Sequence, residues 1–224
     1  MTTRTDAAAA SAAEEDLALL RLTQWLSPAF PLGSFAYSHG LETAISEGDV
    51  ADAAGLEVWL DHILRFGSGR SDAILLHACL RGEDPDTLAD LARALAPSAE
   101  RLRETEEQGG ALARTVAALG GPASPARPLP VALGVAAREL GLAPARIVAL
   151  YLQSFASNLV SCATRAVPLG QTEAQAVLTR LGETVAALAR DTQDVPCDRI
   201  ASSAFGADLA SLRHETLPVR IYKT

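Results

Sequence analysis

Aromatic side chains are scarce in this sequence, at 4% of 224 residues, and runs rich in Val, Ile and Tyr that would build a sheet are missing. Ala and Leu dominate instead. That composition favours helices packed through small side chains, and predicts an all-α, single-domain helical bundle of about eight to ten helices. Cysteine is also sparse: Cys79, Cys162 and Cys197 are widely spaced and form no C-x-x-C pair. A disulfide framework is thereby excluded in favour of reduced, buried thiols, as expected of a cytoplasmic protein. Positive charge is in deficit, with a formal net charge of -8, and no basic cluster stands out. No attraction for nucleic acid phosphates or an anionic membrane is expected.

Several motifs are absent as well. Without G-x-x-x-x-G-K-[ST] the chain is not itself a P-loop nucleotide hydrolase, and without G-x-S-x-G it has no serine hydrolase elbow. His39, His62, His77 and His214 are too far apart to pair at helical spacing, so no tightly bound metal or other cofactor is expected. Ligands shared across an interface between two chains stay open. Gln153, Ser154, Ser157, Asn158 and Ser161 interrupt the apolar stretch 147–163, which reads as a core helix and not a membrane span. Residues 1–13 carry no signal-peptide pattern and read as a disordered tail.

What is present is helical periodicity. A capping box at Ser11 and Glu14 opens a first helix that the Pro28 and Pro31 pair terminates. A second is expected from Ser34 through Tyr37, Leu41 and Ile45, stopped by Gly48. Leu56, Trp59, Leu60, Ile63 and Leu64 mark the clearest amphipathic helix. Gly67-Ser68-Gly69 closes it, and Ser71 is placed to cap the next. Further helices are expected from Pro85 to about Ala96, Ser98 to Leu119, Val131 to Leu140 and Pro144 to Ala166, then one opened by Thr172 and Gln175. Four prolines make Pro122 to Pro130 an extended surface linker, and everything after Asp191 reads as irregular. The helical domain is drawn at 14–207, with a partner-binding tail at 208–224.

Three places concentrate unusual residues: the Pro, Gly, aromatic and His cluster of Pro28–Glu42, the segment Arg165–Gln171, and the tail. In the first, Phe30, Phe35 and Tyr37 are expected in the core, while Ser38, His39 and Glu42 are placed on a surface. His39 also admits a buried, satisfied position. The tail has too little apolar content to form a core element alone, and reads as a frayed end or as a strip that orders on a partner. Ser38, His39 and Glu42 cannot form a triad among themselves, because adjacent helical residues diverge.

At these places the chain resembles the UreF family of urease accessory proteins. Ser27-Pro28-Ala29-Phe30-Pro31-Leu32-Gly33-Ser34-Phe35-Ala36-Tyr37-Ser38-His39-Gly40-Leu41-Glu42 is similar to that family's N-terminal signature. Arg65 to Asp72, Leu102-Arg103-Glu104-Thr105 with Gly109, and Arg165-Ala166-Val167-Pro168-Leu169-Gly170-Gln171 resemble later segments in the same order. His214-Glu215 and Arg220-Ile221-Tyr222-Lys223 resemble its closing pattern, with Tyr222 where Phe is common and Thr224 where Ser is usual.

The resemblance implies an all-α homodimer that binds UreD (UreH in some systems) and recruits the GTPase UreG. Together they would deliver nickel to apo-urease, so that nickel is handled by the complex and modulation of the GTPase is the expected contribution. It also implies a functional polar surface containing Glu104, Arg165 and Asp208, and a partner-binding tail with His214 and Glu215, whose Arg220, Tyr222 and Lys223 order against UreD. Two other readings compete with this non-enzymatic scaffold. One is a helical enzyme with a dispersed site of His39, Glu42 and Asp72, the other a helical regulator with a preformed apolar pocket.

Overall fold

The computed structural model describes the backbone of residues 4–224 and side chains from residue 12 onward. Helices run at Arg4–Trp25 (α1), Leu41–Glu47 (α2), Ala53–Phe66 (α3), Ser68–Arg81 (α4), Pro85–Ala94 (α5) and Ala99–Ala118 (α6). Leu129–Ala137 (α7), Pro144–Ala166 (α8), Gln171–Asp191 (α9) and Phe205–His214 (α10) complete the set, with short 3-10 turns at Ser34–Ala36, Arg138–Leu140 and Cys197–Arg199. No strand occurs among the described residues, and the fold is all-α.

Helix α8 lies against α9, α4, α2 and α3, which is why it is apolar around most of its circumference. By length and composition it is apolar enough to cross a membrane, yet half of its most apolar window is buried inside this fold. In α3 the expected stripe is realised: Leu56, Leu60, Ile63 and Leu64 are buried, each stabilising by about 1.5–3 kcal/mol relative to exposure. Asp52 caps that helix through the Gly55 amide, 2.8 Å away. Ser98 caps α6 in the same way at the Arg101 amide, and Asp84 caps α5 at Thr87.

Several boundaries differ from expectation. Helix α1 begins at Arg4, upstream of the Ser11–Glu14 box, so the stretch 4–13 read as a tail is helical and residues 1–3 lie outside the described ones. The helix expected from Ser34 starts only at Leu41, because His39 (φ 60°) and Gly40 (φ 78°) adopt left-handed backbone that breaks the turn. Helix α4 starts at Ser68, not Ser71, and α9 is opened by Gly170, whose amide donates to Glu173. The Pro-rich linker is not a free surface strand. Thr105 accepts the Leu129 amide at 3.0 Å, Arg127 and Pro130 are buried, and a Cβ on Gly109 would stand 1.9 Å from the Arg127 carbonyl. Gly109 therefore lets the linker lie on α6.

The stretch after Asp191 is also more regular than expected, since α10 forms within it and straddles the 207/208 boundary. Its start is pinned where the Ser203 amide donates to Phe66 O at 2.8 Å and Ala204 packs against Gly67. That contact explains the Gly67–Gly69 corner: side chains there would collide with Ala204 and Leu64.

Candidate functional site

Beyond α10 the chain turns back and lies between α2, α6 and the end of α8. Its residues alternate: Tyr222 and Thr224 are buried, whereas Val219 and Ile221 are 81% and 71% exposed. Lys223 N donates to Ala36 O at 2.7 Å and Ser38 N to Thr224 O at 2.9 Å, so the segment pairs with the backbone of 36–38. The tail expected to await a partner is thus ordered on its own chain.

Carboxylates of α2 and α6 hold it there. Glu42, near the start of α2, accepts the Ile221 and Tyr222 amides at 2.7 and 3.0 Å, and also His214 Nε2 at 3.0 Å. The other ring nitrogen, Nδ1, lies 2.6 Å from Glu100, whose second oxygen accepts from Arg220 at 2.6 Å. Glu104 accepts the Thr224 hydroxyl at 2.9 Å, and Glu107 accepts Lys223 Nζ at 3.0 Å. Glu100, Glu104 and Glu107 recur at helical spacing and project from one side of α6. Conversely, exposed Glu215 reaches back to the α6 N-terminus, accepting from the Ala99 amide at 2.8 Å, where the helix dipole favours an anion.

A second cluster adjoins the first. The His39 ring lies 2.6 Å from the Ser68 hydroxyl through Nε2, stands edge-on to Phe155 and approaches Glu104 at 3.8 Å. Burial, reinforced by the Arg101 guanidinium, lowers its pKa to about 4, so the ring is neutral near pH 7. Burial pushes Glu104 the opposite way, but Arg101 and then His39 outweigh it and hold the carboxyl at about 2. Tyr151 donates to Asp72 at 2.6 Å, and burial raises Asp72 to about 6. His39, Ser68, Asp72, Arg101, Asp208 and Ser211 line a cavity of about 60 Å³. Among the described residues no group of three or more His, Cys, Asp or Glu side chains is placed to hold a metal ion.

Most residues singled out in the sequence are therefore brought together, but with a different exposure. Ser38, Glu42 and Glu104 were expected on a surface and are buried at 0%, 8% and 6% exposure, while His39, for which a buried position was also open, is 5% exposed. The reason is the tail, which covers them and uses them as anchors. His214 and Tyr222 point inward as well. Arg165, Glu215, Arg220 and Lys223 are exposed, and Asp208 is half-buried, accepting from Ser202 at 2.9 Å. Phe35, expected in the core, is 62% exposed. The dispersed site of His39, Glu42 and Asp72 is not assembled, since Glu42 faces the tail while the other two line the cavity.

Sequence reasoning missed the outward side of the same region. Phe205, Leu209 and Leu212 of α10 are 75%, 45% and 48% exposed and recur at i, i+4 and i+7. That spacing was readable, but no capping residue announces the helix. A wider groove of about 490 Å³ runs beside α8, where Ser, Asn and Gln side chains share the wall with Trp25 and Leu112, and Arg165 stands at it.

Residues 50–182 match the UreF family model; the matched stretch holds Glu104 and Arg165 but not the tail. The urease accessory protein UreF of Cereibacter sphaeroides strain KD131 is 63% identical over 207 residues, covering 92% of this chain and 99% of that protein. The protein of the same name from Jannaschia sp. strain CCS1 is 53% identical, covering 92% and 94%, and that from Paracoccus denitrificans strain Pd 1222 is 48% identical, covering 93% and 97%. Similarity of this degree extends well past the matched core, and the chain belongs to the UreF family.

Proposed function

We propose that this protein is a urease accessory scaffold that works through partners and has no catalytic site of its own. In this reading it acts in the cytoplasm as a homodimer, binds UreD (UreH), recruits the GTPase UreG and modulates it while nickel is delivered to apo-urease. The observation that carries the reading is the surface made by α10 and the tail, in a chain whose relatives are named urease accessory proteins. Phe205, Leu209, Leu212, Val219 and Ile221 all point outward there, flanked by Arg213 and Arg220. Clustered apolar exposure with a polar rim is what a protein partner covers. Exposed Arg165, at the groove beside α8, offers a planar fork to a carboxylate on another chain, and in this reading it lies near the dimer contact or faces the GTPase.

Light-scattering chromatography of the chain co-expressed with its UreD and UreG counterparts tests this reading. Full-length protein is expected to form the complex, and the version truncated after Leu212 to fail. Because truncation also removes buried anchors, Leu209→Glu serves as a second variant on an exposed position. A complex that tolerates both changes refutes the assignment of this surface.

A further inference from the structure

We infer that Glu42 is the positioning residue of the partner surface: its one buried carboxylate sets the conformation of both the tail and α10. The inference rests on the reading of that surface given above, and adds to it the group that builds the surface from within.

Three nitrogens from two separate elements converge on Glu42. Ile221 N lies 2.7 Å from Oε1, while Tyr222 N and His214 Nε2 each lie 3.0 Å from Oε2. Two consecutive amides on one carboxylate fix the rotation of the tail about its own axis. Tyr222 is consequently turned inward, its hydroxyl donating to Cys162 O at 3.2 Å, and Ile221 is turned outward. Through His214 the same carboxylate anchors the end of α10, and with it the outward set Phe205, Leu209 and Leu212. No other side chain described here bonds both elements in this way except Glu100, which reaches the tail only through the flexible Arg220 side chain.

Glu42 is itself well placed. It sits in the first turn of a helix, where a negative charge is favoured, and Ser38 Oγ accepts its amide at 3.2 Å. Gly40 brings α2 close to α10, since its Cα hydrogens face the Ser211 backbone where a Cβ would stand 2.8 Å from the amide nitrogen. The Ile221 and Tyr222 amides can only donate, one to each carboxyl oxygen, and so require an acceptor-only group. An ionised carboxylate meets that need, whereas a carboxamide of the same shape turns an NH₂ toward at least one of the donors. Preorganisation of this kind raises affinity by lowering the ordering cost of association, without adding a contact.

The test compares wild type, Glu42→Gln and Ile221→Pro by hydrogen–deuterium exchange of peptides covering 215–224, in the isolated chain and in the co-expressed complex. Titration of complex formation accompanies it. Ile221→Pro removes one donor from the tail side and leaves the core untouched. Both variants are expected to speed tail exchange and weaken assembly by about tenfold, with α3 and α9 peptides exchanging as in wild type. A purely structural role for Glu42 would instead move the α3 and α9 peptides too, and overturns the inference. So does tail exchange equal to wild type in both states. Ile221→Asp separates this from the reading it rests on. It is expected to weaken assembly while tail exchange in the isolated chain stays unchanged, whereas a wild-type chain that forms no complex defeats the scaffold reading and leaves exchange to judge Glu42.

Discussion

Gly40 and Ser211 approach so closely that a Cβ at position 40 would lie 2.8 Å from the Ser211 amide nitrogen and 3.1 Å from its Cα. Gly40 also has φ 78°, a conformation that β-carbon-bearing residues adopt at a cost. Gly40→Ala is therefore expected to push α10 off α2 and to destabilise the fold by about 1–3 kcal/mol. Urea denaturation measures the loss, and Gly48→Ala is the control for φ alone, having φ 86° but open space around its Cβ position.

Neighbouring glycines of α6 should respond with opposite sign. A Cβ on Gly109 meets the Arg127 carbonyl and must expel the linker, so Gly109→Ala is expected to cost about 2–4 kcal/mol. At Gly110 the nearest atom is the flexible end of Arg114 at 3.3 Å. Gly110→Ala is expected to be neutral or to stabilise by up to about 1 kcal/mol through helix propensity. Paired thermal melts distinguish the two.

Those two positions show what was legible in the sequence and what was not. Helices α3, α5, α6 and α8 were readable because their apolar spacing, the Pro85 and Pro144 starts and the Ser98 cap are local signals. The role of Gly109 was not, since the backbone it admits comes from residues 126–129 on a separate element. The site divided in the same manner: resemblance picked out Ser38, His39, Glu42, Glu104, His214 and Tyr222, which do converge. Their burial depends on the tail returning across α2 and α6, a long-range event that no local pattern encodes. Helix α10 was missed for lack of a cap, although Phe205, Leu209 and Leu212 had helical spacing.

Acidification acts on this cluster in a defined order. The His39 pKa is lowered to about 4 in the folded chain, so between pH 6.5 and 4 the unfolded chain binds the extra proton and stability falls with pH. The full loss is roughly 3 kcal/mol. Glu104, held at about 2, adds a further loss as pH falls below 4.5. His39→Gln is expected to flatten the stability curve between pH 6.5 and 4 and to leave the lower limb in place. Denaturation midpoints at a series of pH values provide the check.

Asp72 works against His39 in part of that window. Its folded pKa is raised to about 6, so the folded chain retains a proton that the unfolded chain releases, and stability falls as pH rises from 3.8 through 6. Asp72→Asn is expected to be more favourable relative to wild type at pH 7.5 than at pH 4.5. An equal effect at both pH values would show that burial does not govern this carboxyl.

The exposed face of α10 makes a prediction of the opposite type. Phe205→Ser is expected to change stability by less than about 0.5 kcal/mol and Leu209→Ser by about 1 kcal/mol, because the first side chain is 75% exposed and the second 45%. The same changes are expected to weaken assembly with accessory partners, read by the scattering mass of the co-expressed complex.

The bonds between Ser38 and Thr224 and between Glu42 and Tyr222 span 186 and 180 residues of chain. During synthesis α2 and α6 emerge long before the segment that neutralises their demands. Until residues 214–224 emerge, Glu42, Glu100 and Glu104 must face water instead of their eventual donors, and the outward apolar set is not held in place. Display of the partner surface therefore waits on residues 214–224: a chain terminated before them can retain its helical core and still lack what an assembly grips.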